Sequence, residues 1–136
     1  EKAAIKHLEN LNAMYLNDKS VIYSLSKLYI KNNQFIKAQK LLKNIIDSKI
    51  YDSEAVELQL YIVNKYVENK QYDEAINLCE YLNIHIPNNS EIFYTRLNLL
   101  INLGYKDQSI KLINDWLTLN PDDSRAKEIL SNFTLP

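Results

Sequence analysis

The sequence predicts an all-α chain of helix pairs stacked side by side, and three observations carry that prediction. Residues repeat their character every 34 positions: Pro87 and Pro121 are 34 apart, as are Ala4 and Ala38, and Ala75 and Ser109. Apolar residues recur at spacings of three and four around each of these markers, which places one buried stripe on each helix. The 136 residues hold one Gly and three Pro, too few turn formers for an all-β fold. A lone helix pair cannot bury both of its stripes, so neighbouring pairs must stack and share a core.

Residues 1–18 read as the second helix of an incomplete pair, with Ile5, Leu8, Leu11 and Tyr15 on its stripe. The pair 19–55 opens on Ile22, Leu25, Ser26 and Tyr29 and continues through Phe35, Ala38, Leu42 and Ile45. The pair 56–89 carries Ile62, Val63 and Tyr66, then Tyr72, Ala75, Cys79, Leu82 and Pro87. The pair 90–123 carries Phe93, Leu97 and Leu100, then Gly104, Ser109, Ile113, Trp116 and Pro121. Ala38 and Ala75 are 37 apart, which fits three extra residues in the loop around Ile50 to Ser53, where insertion costs little. Residues 124–136 give a closing helix, from about Ser124 to Phe133, and a tail. Its Arg125, Lys127, Glu128 and Asn132 suit a cap with one wet face.

Helix starts follow from side chains that can accept from free backbone N–H groups. Asp52 or Ser53, Asn89 or Ser90, and one of Asp122, Asp123 and Ser124 are the candidates. Ala4, Ala38, Ala75 and Ser109 fall where the two helices of a pair approach most closely. Leu8, Leu42, Cys79 and Ile113 fill the next layer, so Cys79 reads as a small buried hydrophobe and not a nucleophile.

Several classes of chemistry are excluded or disfavoured. A single Gly removes every Gly-rich phosphate loop, and a single Cys leaves no internal disulfide and no Cys cluster for a metal. His7 and His85 have no ligand-type residue at metal spacing, and no nucleophile–base–orienter set can be assembled. No catalytic residue, metal or cofactor is therefore expected. The net charge of −1 argues against nucleic acid, because binding a phosphate backbone calls for a basic excess. The ten Tyr mostly fall in core columns of the repeat, among them Tyr29 and Tyr66. No apolar run is long enough to span a membrane. The sequence begins at Glu1, as expected of a processed chain or a piece of a longer one; the compartment stays open, with a soluble, cytoplasmic chain favoured.

This grammar, three copies in register over nearly the whole chain, resembles the tetratricopeptide repeat family. The resemblance implies a right-handed α-solenoid of antiparallel helix pairs, with a concave groove lined by the first helix of each pair. In that family the groove binds peptides or protein segments. The positions that map to it are Tyr23, Lys27 and Lys31, then Leu60, Asn64 and Glu68, then Glu91, Tyr94, Asn98 and Asn102, and finally Asn132. Asn64, Asn98 and Asn132 are each 34 apart and are expected to form a ladder of amides able to donate and accept. Replacing Asn98 and Tyr94 together by Ala is expected to weaken partner binding with stability nearly unchanged.

Two positions depart from the family pattern: Arg96 replaces a large apolar residue, and Leu97 replaces a small one. Arg96 is expected to pair with a carboxylate or to reach solvent by its stem. Members that grip chaperone carboxylate tails use basic groove residues where this chain has Tyr23, Tyr61, Glu91 and Thr95, so a neutral, partly apolar segment is the expected ligand. The resulting expectation is a non-enzymatic scaffold for a protein or peptide partner. The alternatives are self-association through the N-terminal helix, the repeat segment of a larger enzyme, and, furthest, an RNA-binding helical repeat.

Overall fold

The computed structural model describes residues 1–48 and 51–135, so Ile50 of the proposed insertion and Pro136 of the tail lie outside the described residues. The described residues form eight α-helices and no strand. They are α1 (Lys2–Met14), α2 (Lys19–Lys31), α3 (Phe35–Asp47), α4 (Ser53–Glu68), α5 (Tyr72–His85), α6 (Ser90–Asn102), α7 (Lys106–Leu119) and α8 (Ser124–Thr134). The chain divides into two compact units, 1–78 and 79–136, with the division inside α5. The architecture is that of an all-α solenoid of consecutive helix pairs.

The two kinds of helix start differently, and the sequence dictates how. The helices α2, α4, α6 and α8 open on a side-chain cap. Asp18 accepts from Ser20 N at 2.9 Å, Asp52 from Ala55 N at 3.0 Å, Asn89 from Ile92 N at 3.1 Å and Asp123 from Ala126 N at 3.1 Å. Of the candidates for the last three starts, the structure selects Asp52, Asn89 and Asp123, whose oxygens reach the N–H three residues on. The intervening helices α3 and α7 have no such cap. They are entered through a tight turn that closes the helix before them. Gln34 N donates to Tyr29 O at 2.8 Å, Gln71 N to Tyr66 O at 2.8 Å and Tyr105 N to Leu100 O at 2.9 Å, each spanning one left-handed residue. That residue is Asn33, Lys70 and Gly104 in turn, at φ 58°, 60° and 79°. One Gly thus suffices for three turns of the same shape, because Asn tolerates the left-handed region and Lys70 is forced into it.

In the first unit α2 packs against α1, α3 and α4, and α3 packs against α4. Leu25, Leu42, Ile62 and Val63 are buried there, with Ala38 fully enclosed at the close approach. Tyr66 stands edge-on to Phe35 at 5.2 Å and accepts a hydrogen bond from Gln39 Nε2 at 2.8 Å. In the second unit α7 packs against α6 and α8. Its core is Phe93, Leu97, Ile113, Trp116 and Ala126, with Phe93 stacked on Trp116 at 4.2 Å and 8°. Cys79 is fully buried, and burial pushes its thiol up to about 12, against the smaller opposite effect of Arg96.

The small-residue column holds at Ala38, Ala75 and Ser109, each with no exposed surface. Ala4, the first position of the column, is exposed. The helix that a small residue there would admit precedes it in the repeat, and α1 is the first helix of the described residues, with none of its residues buried. Leu97 is fully buried despite its size, and Arg96 pairs with Glu80 at 3.5 Å.

Candidate functional site

The capped helices carry the residues expected to meet a partner. In the first unit these are α2 and α4. Helical spacing places Lys27, Ile30 and Lys31 on one face of α2, and Leu58, Tyr61 and Lys65 on the facing side of α4. Together with Asn33 they enclose a depression of about 410 Å³. Ile30 and Leu58 are buried and form its floor. Tyr61 is 49% exposed and forms a wall, with Lys65 Nζ 5.2 Å from its ring centroid. Each ammonium group also has a glutamate partner. Lys27 pairs with Glu54 at 2.9 Å, Lys31 with Glu1 at 2.6 Å and Lys65 with Glu68 at 2.9 Å. The hydrogen bond from Lys31 holds the Glu1 carboxyl below its usual range, and the same bond raises Lys31. Glu68 raises Lys65 chiefly by its hydrogen bond. A second depression, of about 550 Å³, lies at the turn end of this unit beside Phe35, Ile36 and Tyr66.

The structure sorts the expected groove positions into two kinds. Lys27, Lys31, Asn64 and Glu68 are exposed on α2 and α4, and Glu91, Asn98, Asn102 and Asn132 on α6 and α8. Leu60 and Tyr23 are buried. The Tyr23 hydroxyl donates to Asp52 Oδ1 at 2.5 Å, while Lys19 Nζ donates to Asp52 Oδ2 at 2.8 Å. The hydrogen bond from Lys19 first, and that from Tyr23 second, hold the Asp52 carboxyl down at about 2. Burial, then the bond to Asp52, push the Tyr23 hydroxyl well above its usual value.

The same device recurs in the second unit. The half-buried Tyr94 directs its hydroxyl at both oxygens of Asp123, 2.8 Å from each, and Trp116 Nε1 donates to Oδ2 at 2.8 Å. Arg125 lies over the Tyr94 ring at 4.2 Å. The hydrogen bond from Trp116 is the main reason the Asp123 carboxyl falls below its usual value. Burial and then Asp123 push Tyr94 up to about 12. The Tyr94 hydroxyl thus also supports the cap of α8, so its removal is expected to lower stability as well as to alter the exposed face.

Sequence reasoning named the α2 side of the depression but left Leu58 and Lys65 out of the groove. It treated Tyr61 only as a position where a basic residue was missing. Their mutual spacing of three and four on α4 was the available signal. The paired tyrosines also had one. Tyr23 precedes its cap Asp52 by 29 residues, Tyr94 precedes Asp123 by 29, and Leu60 precedes Asn89 by 29. Where the cap is a carboxylate the earlier residue offers a phenol, and where it is an amide the earlier residue is aliphatic.

A family model described as Tetratricopeptide repeat matches residues 66–133, half of the chain. A search of curated proteins returns no match. No helix among the described residues is long and apolar enough to cross a membrane. With helix pairs in register, small residues at the close approaches and this match, the chain belongs to the tetratricopeptide repeat family.

Proposed function

We propose that the chain is a non-enzymatic scaffold that binds a peptide or helical segment of a partner protein on the exposed faces of its capped helices. Tetratricopeptide repeats generally mediate protein–protein interaction, which sets the class. The observation that carries the finer reading is the placement of Asn64, Asn98 and Asn132, one on each of α4, α6 and α8 and all exposed. An exposed amide offers both a donor and an acceptor, which matches the backbone of a bound segment. Selecting binders from a displayed peptide library tests this. Selected peptides should bind a variant carrying Asn64→Ala and Asn98→Ala at least tenfold more weakly than the parent, with unchanged helicity. Equal binding by parent and variant refutes the assignment.

Self-association is a second reading, favoured by the end of α1, where Met14, Tyr15 and Leu16 are 71%, 56% and 75% exposed. Contiguous exposed apolar residues invite a neighbour. Sedimentation that shows a monomer at all concentrations removes this reading.

A further inference from the structure

We infer that the depression at the turn end of the first unit is one half of a two-fold interface with a second copy of this chain. The inference stands apart from the scaffold reading and uses a different surface from the end of α1. The depression, of about 550 Å³, is lined by the starts of α3 and α5 and the end of α4. Phe35 and Tyr66 are buried and form its floor. Ile36 lines it as well and is 65% exposed. The counterparts of Ile36 in the later pairs, 37 and 71 positions on, are Asp73 and Asp107. An acidic residue at that place is favoured by the positive end of its helix. Helix α3 has no acidic residue in its first turn and holds an isoleucine in water instead. Both changes work against an isolated chain, and a contact that covers Ile36 recovers the loss.

The rim selects the occupant. Lys37 from α3 and Glu74 from α5 both line the depression and both are exposed. Neither makes an ion pair among the described residues. They hold the same place in successive pairs, 37 positions apart, with opposite charge. A partner of a single sign is repelled by one of them. A second copy turned about a two-fold axis lays its α5 against α3 and its α3 against α5, so each Lys37 meets Glu74 of the other copy. Each carboxylate then arrives at the start of α3, where a cation without an acidic neighbour is unfavourable. The same rotation brings the two Ile36 side chains together over the two apolar floors. An interface of this extent is weak and concentration-dependent; its apolar centre holds it and its charges set the orientation.

Sedimentation velocity of the full chain over a hundredfold range of concentration should show a monomer–dimer equilibrium. Ile36→Asp, which installs the residue type of the later pairs, should weaken the dimer at least tenfold with circular dichroism unchanged. Lys37→Glu and Glu74→Lys should each weaken self-association at least tenfold, because each sets like charges face to face twice. An equimolar mixture of these two variants should associate at least tenfold more tightly than either alone, since one copy then offers two carboxylates and the other two ammonium groups. Reversing both charges in one chain should restore the parent's association. Should a single reversal lose helicity, Ile36→Asp and the double reversal carry the same comparison. A monomer at every concentration overturns the inference. So does a dimer that Ile36→Asp leaves intact, which would move the contact to another surface such as the end of α1, or a mixture no tighter than its components. Library peptides that depend on Asn64 and Asn98 should bind Ile36→Asp as they bind the parent, so the scaffold reading stands or falls separately.

Discussion

Changing Tyr94 to Phe removes one hydroxyl and leaves the ring that Phe93 meets edge-on at 4.8 Å and Arg125 covers. The hydroxyl lies 2.8 Å from both oxygens of Asp123, and that carboxylate also accepts from Ala126 N and Trp116 Nε1. A hydrogen bond to a charged group contributes about 1.5–3 kcal/mol, and the half-exposed setting of Tyr94 puts the Phe variant near the lower end. Asp123→Ala removes more. The helix cap alone is worth about 1 kcal/mol, and the indole N–H and the phenol lose their acceptor together. A total of about 4 kcal/mol follows from adding the cap to these two bonds at the lower end of their range. Because both variants cut the same bond, the double variant should cost about 1.5 kcal/mol less than the sum of the two. Urea denaturation followed by circular dichroism measures all four proteins, and amide exchange in α8 reports the cap locally. Additive losses, or a Tyr94→Phe cost below about 0.3 kcal/mol, would show that the phenol does not support α8.

Lys70→Gly should raise stability by about 0.5–1 kcal/mol in thermal melts, because Lys70 sits at φ 60° where its counterpart Gly104 carries no Cβ penalty. Gln59→Met should stabilise by about 1–2 kcal/mol in urea titrations, since both amide atoms of this 1% exposed residue lack a partner among the described residues and its counterparts are Ile22 and Phe93. Ala75→Leu should cost about 1–3 kcal/mol by overpacking, whereas Ala4→Leu, at an exposed copy of the same column, should be nearly neutral; equal effects would refute the column. Asp52 predicts an acid limb. Its folded pKa lies at about 2, below the ordinary carboxylate value, so its contribution is complete above that ordinary value and is lost as pH falls toward 2. Asp52→Asn should flatten the fall in stability over that range.

Much of the fold was legible because its causes are local or periodic. A cap such as Asp52 or Asn89 acts on an N–H three residues away, and a stripe such as Phe93, Leu97 and Leu100 is set by helical geometry alone. The left-handed turns at Asn33 and Lys70 were less legible, since only the third copy announces itself with Gly104. The tyrosines were hardest. Whether Tyr23 and Tyr94 face a partner or hold a cap depends on a carboxylate 29 residues away, a distance that no local pattern spans.

That last point bears on how such a face can evolve a ligand. Tyr23 and Tyr94 are tied to Asp52 and Asp123, so substitution at either is paid in stability before it can alter binding. The exposed positions beside them carry no such duty to a helix cap. Lys27 and Lys31 lie one and two turns along α2 from Tyr23, and Asn98 and Asn102 stand in the same relation to Tyr94 on α6. The same scaffold positions thus hold ammonium groups in one unit and amides in the other, over an unchanged phenol–carboxylate anchor. An anchor that keeps the backbone in place while its neighbours vary leaves ligand choice to exposed residues whose replacement costs little stability. Grafting Lys at positions 98 and 102 should then change what the second unit binds while its melting temperature moves by no more than about 2 °C. A large loss of stability in that graft would show that the exposed face is structurally committed, and that binding and folding are not separable here.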